Sequence, residues 1–129
     1  MEKNQRKRVI AIIQERGRNT RLIENASPKV LNRIKECQNG IPIPSMIQYT
    51  DAIDAISKLD PAWSELSGSE QDILMGLYGK NRLRNGTATA LSEKLEITER
   101  QVFRRSAQAL QHFYEVLHNH ELFEEESIR

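Results

Sequence analysis

The chain has 129 residues and a net charge of +1, with 38% hydrophobic and 29% charged residues. This length predicts one domain, or one small domain plus an extension, with a single modest core. No apolar run is long enough to cross a bilayer or serve as a secretory signal. The single cysteine, Cys37, has no second cysteine with which to form an internal disulfide. We therefore expect a cytoplasmic protein with no membrane partner.

The small net charge conceals four blocks of alternating sign. Residues 1–40 carry ten Lys or Arg against four Asp or Glu, residues 41–79 one against six, residues 80–118 seven against four, and residues 119–129 one against four. Because local potential rather than total charge attracts a polyanion, the first and third blocks are candidates to face one. Solvated helix faces are the alternative interpretation.

Helical periodicity covers nearly all of the chain after residue 27, and no alternating strand pattern or repeat is present, so we predict an all-α fold. Before that point, one basic amphipathic helix is indicated that ends near Gly17; its apolar positions are Val9, Ile10, Ile12 and Ile13. Ser27 followed by Pro28 is typical of a helix start. That second helix should stop by Asn39 and Gly40.

Two prolines, Pro42 and Pro44, predict an extended connection in the segment GIPIPSM. We place a boundary there. The predicted parts are a basic helical N-terminal extension and linker over 1–44, a helical domain over 45–118 and an acidic tail over 119–129.

A third helix is predicted over residues 49–59 from the spacing of its apolar side chains, Ile53, Ile56 and Leu59. Pro61 disfavours the helical region for the residue before it. The helix should therefore end at Asp60.

The segment LSGSEQDILMGLY predicts the first of three closely spaced helices within residues 66–118. Ser67 and Glu70 have the spacing of a capping box, in which each side chain satisfies the other's free amide. Gly79 should end this helix. Its apolar face is Leu66, Ile73, Leu74, Leu77 and Tyr78.

A short second helix, TATALSEKL, is predicted to be capped by Thr87 or Thr89, with Leu91 and Leu95 on its inner face. Thr98 repeats the capping-box spacing with Gln101, so a third helix should begin there and run to about His118. Its predicted inner stripe is Val102, Ser106, Ala109, Leu110, Phe113 and Leu117.

So tight a connection between two helices is typical of modules that place the second helix in the DNA major groove. The side chains that would then meet base edges are Glu99, Arg100, Gln101, Phe103 and Arg104. The candidates for phosphate contact, some through the amides of a capped helix start, are Thr87, Thr98, Arg105, Lys80, Arg82 and Arg84. A solvated basic helix face is the alternative for any one of these arginines.

The motifs LSGSEQDILMGLY and LSEKLEITERQVFRRSAQALQHF resemble the C-terminal promoter-binding region of bacterial sigma factors, and within that shape the ArpU and RinA families of phage late-gene activators. The resemblance covers residues 66–115. Two positions depart from it: Glu96 stands where such turns usually have glycine, and Ser92 where the second helix usually packs alanine. The resemblance implies a sequence-specific activator of a phage or mobile-element promoter, bound to double-stranded DNA near the bacterial nucleoid and without enzymatic activity.

The rival interpretations are an enzyme, a helical interaction protein and a small terminase-type DNA-packaging subunit. For an enzyme, the late histidines His112, His118 and His120 would have to bind a metal, and the acidic face of Asp51, Asp54 and Asp60 lacks the signs of a catalytic carboxylate pair. We therefore expect no metal, no cofactor and no turnover. For an interaction protein, a partner would cover Phe103, Tyr114, Leu122 and Phe123.

The basic N-terminal block has three open interpretations. It is a second phosphate-binding arm, a dimerisation helix for a second copy of the chain, or a contact to host RNA polymerase.

Overall fold

A computed structural model describes residues 1–79 and 87–123 of the chain. Those residues form six α-helices and one 3-10 turn with no strand, which confirms the predicted all-α fold. The helices are α1 (Lys3–Glu24), α2 (Pro28–Gln38), α3 (Ile47–Trp63), α4 (Gly68–Tyr78), α5 (Thr87–Leu95) and α6 (Glu99–Asn119), and the 3-10 turn is Pro44–Met46. None of these helices is both long and apolar enough to span a membrane.

The first helix, α1, continues through Gly17 to Glu24, so the prediction that it ends near Gly17 is wrong. Gly17 is buried, and a Cβ at this position would lie 1.7 Å from the carbonyl oxygen of Gly79. Gly17 therefore allows α1 to contact the end of α4 backbone to backbone, a use of glycine that needs no break in the helix.

The start of α2 is as predicted, with the Ser27 hydroxyl accepting a hydrogen bond from the Val30 amide at 3.2 Å. The helix ends at Gln38, and Gly40 takes a φ of +93° that favours glycine. Pro44 then opens the 3-10 turn that leads directly into α3. The division of the chain near residue 44 stays a prediction.

The third helix, α3, continues past Asp60 and through Pro61 to Trp63, so its predicted end at Asp60 is wrong. Pro61 lies within the last turn, where the Ser64 amide still donates to the Asp60 carbonyl at 2.8 Å. Ala62 is fully buried and Trp63 is 7% exposed. Burial of these two side chains holds the last turn against the core despite the missing proline amide.

The main core unites α1, α3, α4 and α6 around Phe113, whose ring meets that of Trp63 edge to face with centroids 5.3 Å apart. Val9 and Ile13 of α1 are fully buried in this core. A smaller cluster joins α4, α5 and α6 and consists of Ile73, Leu77, Leu91 and Val102.

Side-chain pairs show that α4 and α6 run antiparallel. Glu65, just before α4, bonds His120 at the end of α6, and Glu70 bonds His112 at 2.8 Å. At the other end of α4, Leu77 shares the smaller cluster with Val102. The end of α4 and the start of α6 therefore lie at the same end of the molecule.

Candidate nucleic-acid interface

The connection between α5 and α6 consists of residues 96–98. The Ile97 amide donates to the Ser92 carbonyl at 3.1 Å, and the Glu96 amide donates to the Glu93 carbonyl at 3.4 Å. With Glu96 at a φ of 56°, this is the hydrogen-bond pattern of a Schellman helix end. The chain thus ends one helix and starts the next within three residues.

The structure of this turn explains Glu96 and Ser92, the two departures from the sigma-like pattern. Glu96 occupies the left-handed region in which glycine carries no steric penalty. The Ser92 hydroxyl donates to the Ile97 carbonyl, so its polar group is satisfied across the turn. Serine therefore fits the position where alanine was expected, whereas Glu96 carries backbone strain.

The start of α6 is the predicted capping box. The Thr98 hydroxyl accepts from the Gln101 amide at 3.1 Å, and the Gln101 side-chain oxygen accepts from the Thr98 amide at 2.9 Å. Of the four amides that a helix start leaves without helical partners, two are thereby satisfied. The amides of Glu99 and Arg100 remain for an acceptor from outside the helix.

The predicted inner stripe of α6 is confirmed. All six of its members are buried in the core: Val102, Ser106, Ala109, Leu110, Phe113 and Leu117. The Ser106 hydroxyl donates to the Phe103 carbonyl at 2.7 Å, so the one polar member of the stripe is satisfied. The opposite face of α6 is consequently left toward solvent.

Three arginines on the first two turns of α6, Arg100, Arg104 and Arg105, are exposed, and Phe103 beside them is 49% exposed. Within residues 1–79 and 87–123, no ion pair or hydrogen bond of these guanidinium groups is formed. The structure therefore leaves their donors for an external partner.

Glu99 and Gln101 are more committed within the fold. The Glu99 carboxylate accepts a hydrogen bond from the Thr89 hydroxyl across the α5–α6 turn. Thr87 and Thr89 are the first and third residues of α5, so neither is the helix cap that the sequence predicts. The Gln101 oxygen serves the capping box, so a two-bond pair with adenine would require Gln101 to give up that bond.

Of the six residues predicted to contact phosphate, three are among the described residues. Thr87 begins α5 and is half-buried, whereas Thr98 and Arg105 are exposed. Lys80, Arg82 and Arg84 lie outside the described residues.

Gln108 was not among the predicted site residues; it lies one turn after Arg104 on α6 and is exposed. It lines a hollow of about 260 Å³ with Arg105, Ser69 and Glu70 at the start of α4. The spacing of four residues from Arg104 was the available signal.

Elsewhere the charged blocks pair with one another. Arg16 of the first block meets Asp60 of the second at 2.8 Å, and Lys94 of the third meets Asp72 at 3.2 Å. Burial alone would raise the pKa of Glu70, but hydrogen bonds from Ser67 and His112, together with the charge of His112, lower it below its ordinary value. Part of the charge segregation in the sequence therefore serves the fold.

The histidines lie in three separate environments. His112 bonds Glu70, His120 bonds Glu65, and the His118 ring packs 5.3 Å from that of Phe123. In the part of the chain that the structure describes, no group of three or more His, Cys, Asp or Glu side chains could hold a metal ion.

Comparison of the chain with protein families, with curated proteins and with solved structures gave no match.

Proposed function

We propose that the chain is a sequence-specific DNA-binding transcriptional regulator, with the first turns of α6 in the major groove of double-stranded DNA. The observation that carries this proposal is the set of exposed guanidinium groups of Arg100, Arg104 and Arg105, unpaired within the described residues, at the start of a capped helix. The resemblance to ArpU and RinA activators adds the narrower proposal of a phage or mobile-element activator of late genes.

The geometry of α6 suits recognition of base edges. A major groove is about 12 Å wide, close to the diameter of an α-helix with its side chains, about 10–12 Å. Arg100 and Arg104 are one helical turn apart and can each donate two hydrogen bonds to a guanine. Phe103, half exposed between them, offers an apolar surface to a thymine methyl group.

Backbone contacts would set the position of α6. The free amides of Glu99 and Arg100 and the positive end of the helix dipole attract a phosphate. The Thr98 hydroxyl lies at the same helix start and Arg105 lies on the second turn of α6; both can donate to neighbouring phosphates. These contacts favour DNA of any sequence, whereas Arg100, Phe103 and Arg104 distinguish between sequences.

Selection of bound fragments from a random pool of duplex DNA tests the proposal. We expect one enriched motif containing at least one guanine that loses its enrichment in Arg100→Ala or Arg104→Ala, at a cost of about 1–3 kcal/mol per two-bond contact. Arg105→Ala is the matched control and should weaken binding to all fragments alike. Equal behaviour of the three variants would contradict the assignment of roles.

The alternative of a helical interaction protein is favoured by one observation, the 49% exposure of the Phe103 ring on a helix whose valine, leucine and other phenylalanine side chains are buried. A partner held by apolar contact should bind with little dependence on salt. DNA binding should weaken steeply with salt, with a slope of about 0.9 per phosphate contacted. A small terminase-type subunit is the remaining alternative, and ring-sized oligomers in solution would support it.

A further inference from the structure

We infer that the DNA-binding surface extends from α6 onto the C-terminal turns of α1, where Arg18 contacts a backbone phosphate beside the groove that α6 occupies. The inference rests on the proposed function. It assigns part of the basic N-terminal block a place in the same interface.

The C-terminal turns of α1 lie against the end of α4. Gly17 contacts Gly79 backbone to backbone at the end of α4. Because α4 and α6 run antiparallel, with Leu77 in the same cluster as Val102, the end of α4 lies beside the start of α6. The turns of α1 that follow Gly17 are therefore at the same end of the molecule as Arg100 and Arg104.

A hydrogen bond holds the C-terminal end of α1 in this position. Arg21 donates from Nη1 to the Gly79 carbonyl at 2.7 Å, which joins the last turn of α1 to the residue that ends α4. The C-terminal turn of α1 is therefore fixed against the end of α4.

The surface around Arg18 carries hydrogen-bond donors suited to an anion. Arg18 is exposed, and it borders a hollow of about 560 Å³. The side chains lining that hollow are Arg18, Arg21, Leu22, Asn25 and Tyr49. Among the described residues, this lining offers guanidinium, amide and phenol donors and contains no carboxylate, which suits an anionic oxygen.

A second hollow along α1 has a different character. Like the hollow beside Arg18, it is bordered by α3, and it is lined mainly by apolar side chains together with Glu15, Arg16, Asn19 and Lys58. Arg16 is already paired there with Asp60 at 2.8 Å. The Glu15 carboxylate lines that second hollow, whereas no carboxylate of a described residue lines the hollow beside Arg18.

The scale of DNA permits both contacts at once. Packed helix axes lie about 8–10 Å apart, and the major groove is about 12 Å wide. α1 packs against both α4 and α6. A helix that neighbours the one in the groove can therefore meet the phosphates that border it, and duplex DNA rather than a small anion is the partner that would engage both surfaces.

The test compares Arg18→Ala and Arg18→Lys with Lys58→Ala in the full chain. Lys58 is also an exposed cation, and it lies on α3 beside the second hollow. Binding is measured by fluorescence anisotropy on a random-sequence duplex over a range of salt concentrations. We expect Arg18→Ala to bind roughly fivefold more weakly near physiological salt and to lower the salt slope by about 0.9, with Arg18→Lys close to wild type and Lys58→Ala unchanged.

Wild-type affinity and slope in Arg18→Ala, with wild-type protein binding DNA normally, would overturn this inference and leave the proposed function standing. An equal loss in Lys58→Ala would also overturn it, because the effect would then be one of total charge. Failure of the wild-type chain to bind any duplex would overturn both the proposed function and the inference.

Discussion

Arginines of α1 and α6 come from the two basic blocks of the sequence, yet the fold uses them differently. In α1, Arg8 lies over the Phe123 ring at 4.3 Å, and Arg16 both pairs with Asp60 and lies over Trp63 at 4.9 Å. In α6, Arg100 and Arg104 are exposed and form no ion pair with a described residue. A block of positive charge is therefore not by itself a binding surface.

The difference follows from what surrounds each helix. α1 packs against α3, which carries Asp60, and against aromatic side chains that can accept a guanidinium group on their faces. The start of α6 packs through its buried stripe, and the neighbouring Glu99 carboxylate accepts a hydrogen bond from the Thr89 hydroxyl. Arg8 and Arg16 of α1 should thus govern stability, whereas Arg100 and Arg104 of α6 should govern binding.

Breaking the contact of α1 with α4 should give the largest effect on stability. Gly17→Ala places a methyl group 1.7 Å from a backbone oxygen, and the required shift should outweigh the gain in helix propensity, for a loss of about 2–3 kcal/mol. Gly68→Ala is the control, because nothing lies within 4 Å of its added methyl group. Urea unfolding measures both, and equal midpoints would show that α1 does not depend on this contact.

Removing Arg16 should have the next largest effect. Arg16→Ala loses the Asp60 pair and the Trp63 contact, for about 1–2 kcal/mol of stability; the loss is moderated because Asp60 is 52% exposed. DNA affinity should fall little. Arg104→Ala should show the reverse, with stability within about 0.5 kcal/mol of wild type. If both variants lose stability equally, the contrast between the two helices fails.

Relieving the strained turn before α6 should give a smaller effect of opposite sign. Glu96→Gly removes the penalty of a side chain at a φ of 56° and should stabilise the chain by about 1 kcal/mol. Glu93→Gly, inside α5, is the control and should destabilise by about 1 kcal/mol. Thermal unfolding distinguishes them, and a loss of stability in both would contradict the left-handed turn.

The smallest effect concerns pH and the pairing of α4 with α6. The lowered pKa of Glu70 means that its ionised form stabilises the fold above the pKa it has when unfolded, and that this stabilisation is lost as pH falls through its lower folded pKa. The stability difference between wild type and Glu70→Gln should therefore shrink on acidification.

Urea titrations from neutral pH to about pH 3 measure this difference. Glu93→Gln, on the exposed face of α5, is the control and should show no such change. A difference for Glu70→Gln that stays constant over the whole range would contradict the role given to the Ser67 and His112 hydrogen bonds.

Local signals predicted α4, α5 and α6 well. The capping boxes at Ser67 and Thr98 and the buried stripe of α6 depend on contacts within a few residues, which sequence spacing records directly. The resemblance to sigma-like regions also marked Glu96 as standing where glycine is usual, and the residue does adopt a left-handed φ of 56°.

Errors arose where a residue serves a distant partner. The sequence pattern indicates a helix end at Gly17 because it does not record the contact with Gly79, which is far away in the sequence. It indicates a helix end before Pro61 because it does not record the burial of Trp63. The same limit applies to the candidate site. Spacing placed Glu99 on the outer face of α6 but could not show that Thr89 engages it.

Photo-crosslinking from α6 tests the central claim most directly. A benzophenone side chain at position 103 replaces one exposed aromatic ring with another, and the same group in place of exposed Asp54 on α3 serves as the control. With the selected duplex, we predict crosslinks from position 103 to bases and none from position 54. Bound DNA that crosslinks from position 54 and not from position 103 would contradict the placement of α6 in the groove.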